Sequence, residues 1–325
     1  MHVKLAKILS NFLLGEEFMI KYKIIVNPIA GKGFAEKMVP MIEEKCKNLG
    51  LTYDLVLTKE PWQAAEIAER AAIDGYDVVV SASGDGTSNE VLNGLMRARS
   101  KGAKNTAMGI ISVGTGNDFA YGMNIPGNLN DCMVALKEDV RKCMDIGEVT
   151  GGDYPEGRYF GNGVGIGFDA AVGFEAAKIL WARGLLAYLI AALRTIFLYY
   201  KAPLVEIKYD ENTIQQNSLM TSIMNGQRMG GGFYMAPTGD PADGYLDLCI
   251  AASASKLRIF QLITYFMKGT QATQPEVITA KAKNVTIKAI EGTMPAHCDG
   301  ETLCFEGKEI RVKILPKQME FVVCE

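Results

Sequence analysis

The chain of 325 residues is long for one hydrophobic core and suits two domains, and 48% apolar with 22% charged residues is the composition of an ordinary folded protein. A net charge of −3 gives no general attraction to polyanions, which argues against nucleic-acid binding. Two histidines, His2 and His297, and seven scattered cysteines (Cys46, Cys132, Cys143, Cys249, Cys298, Cys304, Cys324) with no C-x-x-C pair argue against a His-based triad, a zinc cluster and a disulfide framework, and fit a reducing compartment.

Residues 1–18 place Leu5, Ile8, Leu9, Phe12 and Leu13 beside Lys4 and Lys7, an amphipathic helical pattern without the small-residue cleavage site of a secretory signal. Lys23 to Val26 reads as a strand that ends in Asn27-Pro28 and a turn carrying Gly31, Lys32 and Gly33; the spacing is not that of a Walker A loop. A helix with Val39, Ile42, Cys46 and Leu49 on one face follows, then a strand through Tyr53, Leu55 and Leu57 closed by Thr58, then a helix striped by Ala64, Ile67, Ala68 and Ala71. Val78-Val79-Val80 is a strand buried on both faces, and it stops at Ser83, Gly84, Asp85, Gly86 and Thr87 before a helix start read at Ser88 to Leu95. Glycines let the backbone approach a ligand, and a strand end facing a helix start is where open α/β sheets bind phosphate. Asp85 is the carboxylate inside that loop and so a first candidate for chemistry; a plain Gly-Asp surface turn is the competing reading.

Met108 to Ser112 repeats the pattern with a third loop, Val113, Gly114, Thr115, Gly116, Asn117, Asp118. Strand and helix alternate to this point, which predicts a doubly wound, mainly parallel sheet whose carboxyl ends share one rim. After Asp145 the pattern changes. Phe160 to Asp169 alternates Gly with apolar residues in the manner of a closely packed strand, and Val172 to Tyr200 is largely helical and apolar, with Trp181, Tyr188, Phe197, Tyr199 and Tyr200 along it. No run of about 18 apolar residues occurs; the nearest, Gly184 to Leu193, lies between Arg183 and Arg194. Strand-like runs at Leu204–Tyr209, Leu219–Asn225, Leu246–Ile250, Val285–Ala289 and Ile310–Leu315 predict a mainly antiparallel β-sandwich. The domains read as 19–147 and 148–315, with 316–325 returning to the first.

Four pieces carry a resemblance: NPIAGKG at Asn27 to Gly33, SGDGTSNEV at Ser83 to Val91, SVGTGNDFA at Ser112 to Ala120, and DGE at Asp299 to Glu301. Together they resemble the diacylglycerol kinase catalytic family, bacterial-type lipid kinases related to sphingosine and ceramide kinases. The family usually has Gly at Ser83, Pro at Ser112 and Arg at Tyr121. The resemblance implies an NAD-kinase-like first domain, ATP as co-substrate, Mg²⁺, and a diacylglycerol-like lipid met at the cytoplasmic membrane surface, and it admits a homodimer. It implies Asp299 as general base, with Asp85 and Glu301 also catalytic. Nucleotide contacts would come from Asn27, Gly31, Lys32, Thr58, Gly84, Asp85, Gly86, Thr87, Glu90, Gly114, Thr115, Asn117 and Asp118. Asp85 and Asp118 would serve the catalytic Mg²⁺, and Asp243 in PADGYLDL a structural one, unless that stretch is only an Asp-Gly turn. Likewise Asp299 and Gly300 could be a plain hairpin turn. Other readings are a kinase of sphingosine- or ceramide-like lipid, an NAD kinase, and a catalytically weak lipid-binding relative. The helix with Lys178, Arg183, Arg194 and Lys201 would dock on an anionic membrane.

Overall fold

Strand β1 (Lys21–Val26) lies between β2 (Thr52–Leu57) and β3 (Val78–Ser83), and β3 is flanked in turn by β4 (Ala107–Ser112), all parallel. The computed structural model describes residues 19–103, 106–114, 116–179, 181–182, 184–198 and 202–324, with the side chain of Leu198 excepted. The amphipathic reading of 1–18 and the expectations resting on Thr115, Arg183, Tyr199, Tyr200 and Lys201 therefore lie outside the described residues.

Side-chain alternation along β3 explains why helices cover both faces. Val78 and Val80 pack with Ile42 and Cys46 of α1 (Ala30–Asn48) and Leu136 of α5 (Leu129–Glu138). Val79 points the other way, to Ala64 and Ala68 of α2 (Gln63–Ile73), Leu92 and Leu95 of α3 (Asp85–Ser100) and Phe119 of α4 (Asp118–Gly122). Each fully buried valine stabilises this arrangement by about 1.5–3 kcal/mol. Two boundaries differ from the sequence reading. The helical assignment of α1 spans residues Gly31, Lys32 and Gly33, which are left-handed, so the regular helix starts only after them. Helix α3 begins at Asp85, three residues before the expected start, because an acidic side chain suits the positive end of a helix and Gly84 caps it in an extended conformation.

The second half is a β-sandwich. Strands β5 (Arg141–Gly151), β6 (Tyr154–Phe160) and β7 (Gly163–Gly167) lead into α6 (Phe168–Ala177) and α7 (Gly184–Leu198). The single long helix expected over 172–200 is thus two, and Gly184, with φ of +54°, opens the second. Next come β8 (Leu204–Tyr209), β9 (Asn212–Met224), the short pair β10 (Arg228–Met229) and β11 (Phe233–Tyr234), β12 (Leu246–Ala252), α8 (Lys256–Lys268), β13 (Val277–Ala282), β14 (Asn284–Ala289), β15 (Met294–Cys298), β16 (Glu301–Gly307) and β17 (Glu309–Val322). One layer pairs β9, β8, β14, β17, β5 and β6; the other pairs β16, β15, β7, β9, β12 and β13. All of these pairings are antiparallel, and Val205, Ile207, Val285 and Val312 of one layer meet Ile166, Ile223, Leu248 and Leu303 of the other. Helices α6, α7 and α8 cover the outer face of the second layer through Val172, Ala191, Ile259 and Leu262.

Strand β17 joins the two halves. Its first part pairs with β14, its whole length with β5, and near its end Phe321 pairs in parallel with Met108 of β4. The ring of Phe321 lies 6.1 Å from that of Phe119, in the core beneath the third glycine loop.

Candidate active site

The loops after β1, β3 and β4 meet at one rim. Asn27 donates from Nδ2 to Thr87 Oγ1 at 3.0 Å and accepts the Ile29 N–H through Oδ1 at 3.2 Å, so the first loop is tied to the second. Gly84 and Gly114 touch backbone to backbone: a Cβ on Gly114 would come 2.5 Å from the Gly84 Cα, which leaves no room for any other residue. Lys32 reaches across the cleft, its Nζ 3.4 Å from the Ala182 carbonyl oxygen. The start of α3 presents unpaired backbone N–H groups at this rim, the usual seat of an anion. Ser83 Oγ, Ser112 Oγ and Asn117 Oδ1 are buried beside these loops without a hydrogen-bond partner among the described residues. Unsatisfied polar atoms in such a place call for a ligand or water.

Four carboxylates converge here. Asp85 accepts the Phe119 N–H through Oδ1 at 3.0 Å. Burial, and then the negative charge of Asp118, push its pKa up to about 7. Asp118 is held by the sandwich: Oδ1 accepts Arg228 Nε at 2.9 Å and Oδ2 accepts the Gly231 N–H at 2.8 Å. Asp299 sits at a two-residue hairpin turn, with φ of +47° followed by +85° at Gly300, so the plain-turn reading and a place in the site hold together. It is 4% exposed and accepts four hydrogen bonds, from Asn89 Nδ2 and the Gly161 N–H at Oδ2 and from the Asn162 and Gly163 N–H groups at Oδ1, all between 2.9 and 3.0 Å. Burial raises its pKa, and these donors oppose that rise. Glu301 lies against the second loop, where a Cβ on Gly86 would collide with its carboxylate.

An apolar cavity opens from this acidic end. Asp85, Asp118 and Asp299 line one part of it, and Phe168, Val172, Phe174, Met220, Met229, Phe233 and Phe266 form its walls. Asp169 and His297 also face it, with Asn162 and Tyr188. Asp169 accepts Ser222 Oγ at 2.8 Å, and burial pushes its carboxyl up to about 7. Burial pushes His297 down to about 4, and its Nδ1 has no partner among the described residues. At neutral pH His297 is therefore uncharged and Asp169 is partly protonated, so the charge these two groups bring to the cavity is reduced.

The structure gives other partners to three residues expected in the site. Glu90 accepts the Ala64 N–H through Oε2 at 3.2 Å, so that oxygen caps the first turn of α2. Asp118 has one hydrogen bond from the sandwich on each oxygen, so it ties the third loop to the second half of the chain. Asp243 is ion-paired with Lys281 Nζ at 2.6 Å, accepts the Tyr245 N–H, and shares that lysine with Asp247 at 3.1 Å. An ammonium group therefore neutralises the place expected to hold a structural Mg²⁺, and that donor set does not fit the ion. Thr58 remains at the rim, buried, with its N–H on the Val26 carbonyl oxygen at 2.9 Å.

For a catalytic Mg²⁺ the fit is different. Among the described residues no group of three or more His, Cys, Asp or Glu side chains is set to hold a metal ion. Mg²⁺ at kinase sites is bound by one or two carboxylates, with phosphate oxygens and water completing its shell. Glu301 against Gly86, with Asp85 nearby, fits that requirement.

Sequence reasoning missed the residues that bind the two halves together. Asn89 donates to Asp299 and to the Tyr159 carbonyl oxygen, and accepts Arg158 Nε and Nη2 at Oδ1 at 2.9 and 2.7 Å. Asn93 adds bonds to the backbone of Tyr159. The signal was present, since Asp85, Asn89 and Asn93 recur at i, i+4, i+8 and so share one face of α3. Arg228, Asp169 and His297 had no comparable local signal.

Comparison with known proteins agrees with the fold. Residues 21–149 match the diacylglycerol kinase catalytic domain, and residues 162–323 match the YegS C-terminal NAD kinase beta sandwich-like domain. Proteins named diacylglycerol kinase from Staphylococcus epidermidis and Staphylococcus carnosus are each 29% identical over 280 residues, covering 86% of this chain and 85% and 88% of theirs. A crystal structure described as a diacylglycerol kinase from Bacillus anthracis str. Sterne superposes with a TM-score of 0.71 at 20% identity, over 95% of this chain and 98% of that one, a likeness of fold. The catalytic-domain match and the named relatives place the chain among the lipid kinases. The chain belongs to the diacylglycerol kinase catalytic-domain family.

Proposed function

We propose that the protein transfers the γ-phosphoryl group of ATP to the hydroxyl of a membrane lipid, with diacylglycerol as acceptor and phosphatidic acid as product. The observation that carries this reading is the single cavity with carboxylates at one end and aromatic and aliphatic walls along the rest. A hydroxyl on an apolar chain suits that cavity, whereas a polar acceptor such as NAD would meet mostly hydrocarbon. The glycine loops and the start of α3 offer N–H groups to the nucleotide phosphates.

Within this reading Asp85 is the better proton acceptor. Its pKa of about 7 suits general base work near neutrality, and it lines the cavity where the acceptor would enter. Asp299, with four donors on its two oxygens, is instead the anchor that holds β7, the DGE turn and α3 together. The lipid oxygen bonds to the γ-phosphorus as the bond from phosphorus to the β-bridging oxygen breaks, ADP keeps that electron pair, and the hydroxyl proton passes to Asp85. Bound Mg²⁺, held by Glu301 and the phosphates, would supply charge neutralisation.

No helix among the described residues is long and apolar enough to cross a membrane, so the lipid has to be met at a surface. Trp181, Leu186 and Phe197 on and beside α7, and Leu257 of α8, are exposed, with Lys256 beside Phe197. This apolar face with basic residues is the proposed docking surface. The deciding experiment incubates the protein with labelled ATP and vesicles carrying diacylglycerol, sphingosine or ceramide, or with soluble NAD. Labelled phosphatidic acid is expected; labelled NADP, or no product from any acceptor, would remove the proposal.

A further inference from the structure

A cleft rimmed by Asp85, Asp118, Asp299 and Glu301 is a poor host for a polyphosphate unless a cation faces it, since like charges at close range repel strongly in a water-poor site. Lys32 comes from the first glycine loop, and two guanidinium groups approach the rim from the sandwich. Arg158 is fully engaged: Nε and Nη2 donate to Asn89 Oδ1, Nη1 donates to the Tyr154 hydroxyl at 3.0 Å, and its face lies over the Trp62 ring. Arg228 is engaged on one edge. Its Nε donates to Asp118 Oδ1 at 2.9 Å, its face lies 3.7 Å from the centre of the Tyr121 ring, and its side chain keeps 19% of its surface exposed. Its Nη1 and Nη2 make no hydrogen bond among the described residues.

The backbone around Arg228 is fixed as well. Asn162 Nδ2 donates to its carbonyl oxygen at 3.0 Å, Arg228 pairs with Tyr234 across β10 and β11, and Tyr234 packs edge-on to Tyr121 at 6.4 Å. Met229 and Gly230, the next two residues, line the cavity with Asp118. A guanidinium held by a carboxylate on one edge and an aromatic ring on one face is pre-organised, and its remaining pair of N–H groups matches the oxygens of a phosphoryl group.

We propose that Arg228 is a phosphate-binding cation of the cleft, supplied by the sandwich, with Asp118 and Tyr121 aiming its free edge at the phosphoryl group in transfer. The proposal rests on the kinase reading and deepens it. Arg228 forms and breaks no covalent bond. It offsets the charge that gathers on the phosphoryl oxygens, and it accounts for a carboxylate, Asp118, beside a polyanion site. The geometry also indicates where a substitute could come from, because an arginine at 121 would carry its own guanidinium into the space above the present ring.

Turnover of ATP with diacylglycerol vesicles would be measured for wild type, Arg228→Ala, and Arg228→Ala combined with Tyr121→Arg, each with a melting curve. Arg228→Ala should lower kcat on the order of 10²-fold, with KM for the lipid changed less than about threefold. Millimolar guanidinium ion added to Arg228→Ala, or the second substitution, should recover about a tenth or more of the lost rate, which a purely structural role would not allow. A wild type inactive on every acceptor overturns the kinase reading and this proposal with it. An active wild type with Arg228→Ala within about threefold of it overturns the arginine assignment alone. So does a loss of rate that comes with a lowered melting temperature and that neither guanidinium nor Tyr121→Arg repairs.

Discussion

Asp85 and Asp299 occupy one site and are held in opposite ways. Burial beside Asp118 gives Asp85 a folded-state pKa near 7, above its unfolded value of 3.8, so the folded protein holds this proton more tightly than the unfolded chain. The stability this group contributes is complete below 3.8 and is lost as pH rises through about 7. Asp85→Asn removes that dependence. The unfolding free energy of the variant relative to wild type should climb between pH 4 and pH 8, by on the order of a few kcal/mol at most, and its relative melting temperature with it, while turnover falls at least about 10²-fold. Melts across that pH range and an assay at pH 8 check both, and near-normal turnover by the folded variant would take the base role from Asp85. Asp299→Asn, by contrast, turns an amide N–H₂ toward N–H groups that need an acceptor. It should cost about 1–3 kcal/mol and lower the melting temperature together with the rate. A lost rate with an unchanged melting curve would instead return the base role to Asp299.

At the scale of elements, the strand-loop-helix units of the first half were legible because each is written locally: a β-branched run, then glycines, then a striped helix. Part of the sandwich was legible for the same reason, as the runs that became β8, β9, β12, β14 and β17, while β5, β6, β13, β15 and β16 were not read, and the family motifs pointed to the DGE turn. The partners of the site residues were not. Arg228 reaches Asp118 across 110 positions and Asn89 reaches Asp299 across 210, and no local pattern encodes which loop of a sandwich will face a given helix. The helix read over 172–200 showed a different limit, since its apolar content was visible but its break at Gly184 and its charge pairing were not. Arg194 lies 3.6 Å from the buried carboxylate of Glu175, which Lys178 also meets at 2.5 Å, so reversing its charge would strain the fold before it tested a membrane. Trp181→Ala with Lys256→Glu is the cleaner test, because Trp181 is 76% exposed and Lys256 sits at the start of α8 over Phe197. Binding to anionic vesicles should weaken about tenfold or more and wild-type binding should decline with salt. Vesicle sedimentation alongside a melting curve reads this, and undiminished binding by the folded double variant would end the docking proposal.

For the whole molecule, β17 is the member that makes two domains one object. Phe321 is fully buried, packs on Phe119, and so supports the residue whose N–H is given to Asp85. Phe321→Ala should destabilise by about 3–5 kcal/mol and lower turnover as well, although position 321 is far along the chain from every glycine loop. Denaturant unfolding measures the first effect, and a cost below about 1 kcal/mol would mean that the parallel sheet does not depend on this strand. The same strand sets a schedule for synthesis. The segment through β4 leaves the ribosome with one edge of its sheet unpaired, and the residue that pairs with Met108 follows about 200 residues later, roughly 10–40 s at ordinary elongation rates. For that interval a nascent chain carries an apolar strand with open backbone groups, the feature that invites pairing with a neighbour. A chain truncated before residue 321 is therefore expected to aggregate more readily than the full chain, which light scattering of the two proteins would check.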